Sequence, residues 1–193
     1  MRRKFDIVIA GVGGQGILLA SNIIGQACVY EGIPVKGAET HGMSQRGGSV
    51  EAHIRIGGVY GPKVPAGKAD LLLAFEPLEG ARYSHYLKKG GIAIINLFPI
   101  PPSRAPYPEI EKLLGMIKEK TARCISENFT DISLKIGSVR ILNILMLGVS
   151  ARFLPLKPVN IEKAIKKVVK KEFIEINLSA FKKGYQYISL RTF

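Results

Sequence analysis

The sequence has little cysteine, few acidic residues and no long apolar run, and each shortage excludes a class of protein. Its two cysteines, Cys28 and Cys124, lie far apart and form no CxxC pair, so no zinc or iron–sulfur site is predicted here. We expect both thiols to be reduced and buried. No apolar run is long enough to span a membrane, and the start "MRRKFD" leads into a strand-like run rather than a signal peptide. A soluble, cytoplasmic protein without a membrane partner is therefore expected.

Basic residues outnumber acidic ones, 28 against 15, which gives a net charge of +13. Such a charge is compatible with nucleic acid, an acidic protein or a phosphate-bearing ligand. Much of it lies in a predicted amphipathic helix at 161–173, where a solvated basic face is the simpler interpretation. Because no stacking-aromatic or groove-reading motif accompanies the lysines, nucleic acid is not predicted to be a partner. The apolar face holds Ile161, Ile165 and Val168, and the basic face holds Lys163, Lys166, Lys167, Lys170 and Lys171.

Strand and helix patterns alternate along most of the chain. A strand at about 5–10 enters a glycine loop, a helix ends at Gly32, and a second strand at 33–39 completes a βαβ unit. The continuous apolar runs at 69–75 and 92–96 are typical of central parallel strands that are covered on both faces. Between them, a helix is predicted to begin at Pro77 and to end on the glycine pair at 90–91.

The second half of the chain begins with a proline-rich stretch and becomes mainly helical. Residues 97–109 carry five prolines and are predicted to form an extended surface loop. A helix at 109–120 and a strand at 122–128 follow, and a nearly all-apolar segment at 137–151 predicts a buried helix. We found no internal repeat. The predicted fold class is a single α/β domain over 1–193, with a doubly wound, mostly parallel, Rossmann-like sheet and a helical C-terminal portion from about residue 134.

The segment 49–58 alternates between apolar and polar side chains. Val50, Ala52, Ile54 and Ile56 fall on one side of a strand, whereas Glu51, His53 and Arg55 fall on the other. This pattern predicts an antiparallel strand towards an edge of the sheet, with one face less buried than the other. His53 and His85 are accordingly predicted to be exposed residues of a strand and a helix.

The stretch "GVGGQG" places Gly11, Gly13 and Gly16 in GxGxxG spacing between a predicted strand and a predicted helix, with Gly14 and Gln15 inside the motif. Glycines permit a tight turn, and the N–H groups at the start of the helix attract an anion. Glu39, the candidate acid for binding a ribose, comes later than the roughly 20 residues expected after such a motif. Nucleotide binding and a purely structural turn therefore both remain open.

Polar residues follow four of the predicted strands at their carboxyl ends, where open α/β sheets bind ligands. Glu76 and Asn96 each follow a buried strand, but a helix-terminal acid and a turn residue are the simpler interpretations. The pair His41 and Ser44 fixes no hydrogen-bond geometry for a nucleophile, so no catalytic residue is predicted. The predicted binding residues are Gly11, Gly13, Gly14, Gln15, Gly16, Glu39, His41, Ser44, Gln45, Arg46, Glu76 and Asn96.

Several stretches resemble, in order and spacing, the gamma subunits or gamma domains of the 2-oxoacid:ferredoxin oxidoreductases. Within that family, the stretches from Val64 to Pro77 and from Tyr86 to Pro102 are similar to the small subunits of indolepyruvate-type enzymes, and the resemblance covers nearly the whole chain. The GxGGQG and ExHGMSQRGG pair is far more specific than GxGxxG alone. The stretches are "GVGGQGILLAS", "GAETHGMSQRGGSV", "KADLLLAFEPLEGARY", "LKKGGIAIIN", "NILMLG" and "NLSAFKKGY".

The resemblance implies a subunit, inactive alone, of an enzyme that converts an aryl pyruvate, coenzyme A and oxidised ferredoxin into aryl acetyl-CoA, carbon dioxide and reduced ferredoxin. It implies that thiamine diphosphate, magnesium and the iron–sulfur clusters belong to a large partner subunit, through which ferredoxin is reached. Coenzyme A would then contact the backbone at 13–16 and the side chain of Arg46. A stand-alone dinucleotide-binding Rossmann oxidoreductase is the alternative.

Overall fold

The computed structural model describes residues 4–41, 47–102, 106–121 and 123–187. Six strands form one sheet in the order β2-β3-β1-β4-β5-β6. The strands are β1 (Phe5–Val12), β2 (Val35–His41), β3 (Ser49–Ile56), β4 (Ala69–Ala74), β5 (Leu87–Asn96) and β6 (Arg123–Glu127). The helices are α1 (Ile17–Tyr30), α2 (Pro77–Tyr83), α3 (Ile110–Lys118), α4 (Phe129–Ile136), α5 (Leu142–Ala151), α6 (Pro158–Val168) and α7 (Ile174–Tyr187).

The sheet is mixed, with a parallel half and an antiparallel half. Strands β1, β4, β5 and β6 run parallel to one another, whereas β3 is antiparallel to both β1 and β2. Strand β2 therefore points in the same direction as β1, although β3 lies between them. The prediction that β3 is antiparallel is confirmed, but β3 is one strand inside the edge, and β2 is the edge strand.

Helices cover both faces of the sheet, as the doubly wound prediction requires. One face carries Ile7, Ile9 and Leu73 and packs against α1, α5, α6 and α7 in the larger apolar core. The other face carries Val8 and Leu72 and packs against α2 and α3 in a smaller core. Strand β4 lies at the centre and is apolar on both sides, because parallel strands covered by helices lose contact with water on both faces.

Two polar side chains of β3 are buried, contrary to the sequence-based prediction. Glu51 is 8% exposed and His53 is 0% exposed, although the alternating pattern predicted a solvent-facing side for both. The turn at 84–86 and the loop after β3 cover this side, with Tyr86 against the His53 ring and the Val64 N–H bonded to it. The exposed position predicted for His85 is confirmed.

The helix that begins at Pro77 is shorter than predicted. It ends at Tyr83, a 3₁₀ turn covers 84–86, and β5 already begins at Leu87, five residues before the predicted strand. Pairing with β4 explains this difference, since Ala69 lies opposite Leu87 and the register then shifts in an irregularity of the β4–β5 pair. Gly90 lies in the shifted part of β5 and has a φ of +76°, a left-handed backbone conformation that glycine adopts without strain.

Other predicted elements of the second half are present with adjusted bounds. Strand β6 and helix α3 are confirmed, and no helix or strand occupies the described residues between Asn96 and Ile110. The lysine-rich helix α6 ends at Val168, so the lysines at 170 and 171 lie beyond it. Helix α4, which is only eight residues long, was not predicted from the sequence.

Helices α5 and α7 cross at two glycines. A Cβ atom on Gly148 would lie 2.3 Å from the carbonyl oxygen of Phe181, and one on Gly184 would lie 2.1 Å from that of Leu145. Only glycine permits these backbones to approach so closely. Every residue of α5 is buried, which confirms the predicted buried helix for 142–151, whereas residues 137–140 of the predicted segment precede the helix and are largely exposed. No single described helix is long and apolar enough to cross a membrane. The required length and apolar composition are reached only when the helical segments 129–136 and 139–151 are taken together, and these two segments are bent by 119° relative to each other.

Candidate functional site

The glycine loop and several predicted site residues lie at one edge of the sheet. Strands β1, β4 and β5 are parallel, so the residues that follow them, including Glu76, emerge at the same edge as Asn96. Strand β3 starts at that edge with Ser49, which lies opposite Val12 of β1. The topology therefore brings together the ends of strands that are far apart in sequence.

The glycine loop is anchored by the backbone and by the Gln15 side chain. The N–H of Gly13 donates to the carbonyl of Gly48 at 2.8 Å, which joins the loop to the segment before β3. The Gln15 side chain accepts from the N–H of Val12 at 2.7 Å and donates to the carbonyl of Phe75 at 2.9 Å. A Cβ atom on Gly11 would lie 2.6 Å from the Gln15 side-chain oxygen. Gln15 thus holds the turn in place.

The start of α1 has no side-chain cap among the described residues. Gly16, the residue before the helix, has a φ of +79° and no side chain that caps the helix. Its carbonyl accepts from the Asn143 side-chain amide at 3.4 Å, and a Cβ atom on Gly16 would lie 2.3 Å from that nitrogen. The first turn of α1 carries no acidic residue. Uncapped N–H groups at such a terminus favour negative charge.

Glu76 is buried and serves the structure around it. One carboxylate oxygen accepts from the N–H of Glu79 at 2.8 Å and caps α2, while the other accepts from the N–H of Ile100 at 3.3 Å and from the hydroxyl of Tyr107. Burial, followed by the bond to Glu76, raises the pKa of the Tyr107 phenol. Both oxygens of Glu76 are therefore occupied, in agreement with the simpler interpretation of this residue as a helix-terminal acid.

Asn96 is fully buried and links β5 to α4. Its side-chain nitrogen donates to the carbonyl of Phe75 at 3.0 Å and to the hydroxyl of Thr130 at 2.9 Å, and its oxygen accepts from the N–H of Thr130 at 3.1 Å. The Phe75 carbonyl therefore receives bonds from both Gln15 and Asn96. The bonds from Gln15 to Val12, from Gln15 to Phe75 and from Asn96 to Phe75 join the ends of β1, β4 and β5 at one edge of the sheet.

Glu39 lies apart from this network. It is exposed on β2 opposite Ala52, whose side chain belongs to the core on the α1 side of the sheet. It lines a groove of about 670 Å³ between β2 and α1, together with Ser21, Asn22 and Gln26. For His41 only the backbone at the end of β2 is described, and Ser44, Gln45 and Arg46 lie outside the described residues.

Sequence reasoning missed a buried acid beside the glycine loop. The Glu79 carboxyl group accepts from the hydroxyl of Ser49, which lies 3.0 Å from the hydroxyl of Tyr83. Arg82 contributes a partly exposed ion pair, with its Nε 3.3 Å from Glu79. Burial raises the pKa of the Glu79 carboxyl group, and the Ser49 bond partly offsets this effect. Glu79 looks like an ordinary first-turn helix acid in the sequence, so no local signal identified the contact.

His53 forms a second buried polar contact on the same side of the sheet. Its Nδ1 accepts from the N–H of Val64 at 3.2 Å, so the neutral ring carries its proton on Nε2. That nitrogen lies 3.5 Å from the Glu51 carboxylate and has no hydrogen-bond partner among the described residues. Burial lowers the pKa of His53, and Glu51 opposes this shift.

The described residues offer no donor set for a metal. No group of three or more His, Cys, Asp or Glu side chains among them is arranged to hold an ion. Cys28 is buried in α1, as expected, and burial raises the pKa of its thiol to about 12. Cys124 is only partly buried, which corrects the expectation of two buried thiols. The described part of the chain therefore offers no set of three such side chains for a metal ion or an iron–sulfur cluster.

A family model and two relatives of known function match this chain over almost its full length. Residues 6–187 match the family model described as pyruvate ferredoxin/flavodoxin oxidoreductase. The chain is 42% identical over 189 residues to the indolepyruvate oxidoreductase subunit IorB of Archaeoglobus fulgidus, with 94% of each chain covered. It is 39% identical over 191 residues to IorB of Pyrococcus horikoshii, with 94% of this chain and 95% of the relative covered.

A solved structure shows the same architecture. The keto/oxoacid ferredoxin oxidoreductase gamma subunit of Geobacter sulfurreducens superposes with a TM-score of 0.74 and 23% sequence identity, covering 97% of this chain and 99% of that chain. The mixed six-stranded α/β fold with its helical C-terminal part thus matches the fold of that gamma subunit. The chain belongs to the pyruvate ferredoxin/flavodoxin oxidoreductase family.

Proposed function

We propose that this chain is the small subunit of an indolepyruvate-type 2-oxoacid:ferredoxin oxidoreductase. The observation that carries the proposal is the 42% identity to an indolepyruvate oxidoreductase subunit, with 94% of each chain covered. In the overall reaction, an aryl pyruvate and coenzyme A yield aryl acetyl-CoA, carbon dioxide and a proton. The two electrons released pass to oxidised ferredoxin, one to each of two molecules.

The redox and decarboxylation chemistry belongs, in this proposal, to a large partner subunit. That subunit would hold thiamine diphosphate with magnesium and the iron–sulfur clusters, and it would transfer electrons to ferredoxin. The donor inventory of this chain supports the division, since it has only two cysteines and they lie in separate elements, α1 and β6. The small subunit would be inactive alone and would complete the complex in the cytoplasm.

Coenzyme A is proposed to meet this chain at the glycine loop. The uncapped start of α1 supplies backbone N–H groups, and the space beside Gly14, where a Cβ atom would meet nothing within 4 Å, leaves room for phosphate to approach. Arg46, from the stretch of sequence between β2 and β3, would add a charged hydrogen bond to a phosphate. Gln15, Glu76 and Asn96 would hold the edge in place without touching the ligand, because their side chains already bond within the protein.

Reconstitution tests the subunit assignment. The large subunit, identified by co-purification and mass spectrometry and then expressed separately, is assayed for viologen reduction with indolepyruvate and coenzyme A. We expect activity only when this chain is added, and none from this chain alone. Full activity of the large subunit without this chain would refute the proposal. Calorimetric binding of NAD, NADP or FAD to the isolated chain would favour the stand-alone dinucleotide enzyme instead.

The coenzyme A contact is tested separately with Arg46→Ala in the reconstituted complex. We expect the KM for coenzyme A to rise about tenfold while the KM for indolepyruvate stays unchanged, since a charged bond contributes about 1.5–3 kcal/mol. Lys118→Ala, at the exposed end of α3, is the matched control that removes a positive charge elsewhere. An unchanged KM for coenzyme A in the Arg46 variant would remove this residue from the site.

A further inference from the structure

An apolar groove of about 430 Å³ opens in the helical C-terminal part of the chain, next to the first turn of α1. Its walls come from four places in the fold: the start of α1, the 3₁₀ turn at 139–141, the segment after α6 and the start of α7. The side chains that form its apolar lining are Leu19, Ile141, Val168, Val169, Phe173 and Ile176. We call it the C-terminal groove.

Two basic side chains line the C-terminal groove, and no acidic side chain among the described residues lines it with them. Arg140 and Lys170 both line it and both are exposed. Neither makes a salt bridge within the described part of the chain, and the described lining includes no aspartate or glutamate. The groove therefore presents an apolar floor beside unneutralised positive charge, in a chain whose net charge is already +13.

An aromatic side chain in the lining of the groove is exposed. Phe173 lines the groove with 44% of its surface accessible to solvent. Single exposed apolar residues are ordinary, whereas an apolar groove that carries an exposed aromatic side chain and polar residues such as Arg140 and Lys170 is typical of a protein interface.

We propose that the C-terminal groove is where this chain docks onto its large partner subunit, and that an acidic segment of that subunit carrying apolar anchor side chains occupies it. The inference rests on the proposed function, which supplies the existence of the partner. Charge complementarity commits the occupant to an acidic surface, because no acidic side chain lines the groove and neither Arg140 nor Lys170 forms an ion pair among the described residues. Phe173 would be buried at the centre of the contact, where aromatic side chains contribute most.

The test measures binding of this chain to the cofactor-loaded large subunit by biolayer interferometry at two salt concentrations. We expect Phe173→Ala to weaken binding about tenfold or more, mostly through faster dissociation. We expect the double variant Arg140→Glu, Lys170→Glu to weaken binding by at least about tenfold at low salt and to reduce its salt dependence. All three residues are exposed, so each variant should fold, as circular dichroism would show.

Matched controls lie on the opposite face of the sheet, in α3. Met116→Ala removes an apolar side chain that is 45% exposed, and Lys118→Glu reverses an exposed charge; neither should change the affinity. Wild-type affinity in both groove variants would overturn the groove assignment while leaving the subunit proposal intact. Failure of the wild-type chain to bind the large subunit would overturn both. A self-dimer of the isolated chain that Phe173→Ala abolishes would assign the groove to a second copy, and would likewise overturn the proposal.

Discussion

The parallel and antiparallel halves of the sheet are buried by different means. In the parallel half, β4 places Leu71, Leu72 and Leu73 between helices, and these leucines pack against apolar side chains on both faces. In the antiparallel half, β3 turns Ser49, Glu51, His53 and Arg55 towards a side that a short turn and a loop cover. That second side is held by hydrogen bonds and ion pairs between residues distant in sequence.

The difference explains which polar residues are free to bind a ligand. Arg55 bonds Asp6 at 2.9 Å, Ser49 bonds Glu79, and at the carboxyl edge Gln15 and Asn96 share the Phe75 carbonyl. Burial forces each of these groups to find a partner within the protein. A polar residue near the sheet edge is therefore structural in most cases, and the backbone of the glycine loop is the strongest candidate for ligand contact.

The largest effect on stability is expected for a leucine of β4, which is packed between helices on both faces of the sheet. Leu72→Ala in β4 should lower the free energy of unfolding by about 2–5 kcal/mol, because a fully buried leucine leaves a cavity. Urea denaturation measures this loss. Leu134→Ala, at a position 55% exposed in α4, is the control and should change stability by less than about 0.5 kcal/mol. A similar small loss for Leu72→Ala would show that the parallel half is not held by packing.

Removal of the amide that joins β5 to α4 should have the next largest effect. Asn96→Ala leaves the buried N–H of Thr130 without its acceptor and removes one donor from the Phe75 carbonyl. We expect a loss of about 2–3 kcal/mol, which thermal and urea unfolding would both detect. Asn22→Ala, at an exposed position of α1, should be close to neutral. Equal stability of the two variants would contradict a structural role for Asn96.

A smaller, pH-dependent effect is expected at His53. Burial lowers its pKa below the ordinary value of 6.5, so the unfolded chain binds a proton that the folded chain resists. The stability that neutral His53 contributes to the fold is therefore fully present above about pH 6.5 and is lost as the pH falls. The Glu51 carboxylate opposes this loss without cancelling it, because burial is the larger cause of the pKa shift. Other titratable groups facing the ring are Lys63, His85 and Tyr86.

Urea midpoints at pH 7.5 and 5.5 measure this dependence. His53→Gln keeps an acceptor for the Val64 N–H and should flatten the fall in stability between the two pH values. His85→Gln changes an exposed histidine of the same region and should keep the wild-type slope. If both variants retain that slope, the buried ring is not the group that titrates.

The smallest effect, with the opposite sign, is expected at Glu79. Burial raises its pKa above the ordinary value of 4.5, so the folded chain holds this proton more readily than the unfolded chain. The stability it contributes is present below about pH 4.5 and declines as the pH rises through the folded-state pKa. Glu79→Gln should gain stability relative to wild type as the pH rises from 4 to 8, measured by thermal unfolding. Glu111→Gln, exposed in α3, should show no such trend.

Much of the fold follows from local patterns. The apolar run of β4, the buried α5 and the left-handed Gly32 after α1, at a φ of +60°, were predictable because period, length and glycine position determine them locally. The start of β5 at Leu87 was not predictable, because the local pattern there is typical of a helix and pairing with β4 overrides it. Likewise, the burial of His53 depends on Tyr86 and Val64, which the alternation of β3 does not reveal.

For the candidate site, local patterns were enough to predict the glycine loop between a strand and a helix and to recognise the family resemblance. The folded structure was needed to show that Gln15, Glu76 and Asn96 bond within the protein, and that Glu39 lies in a separate groove beside α1. These two kinds of feature differ in the sequence separation of the residues involved. Backbone conformation and apolar periodicity are set by near neighbours, whereas the partner of a buried polar group is chosen by the strands and helices that folding brings beside it.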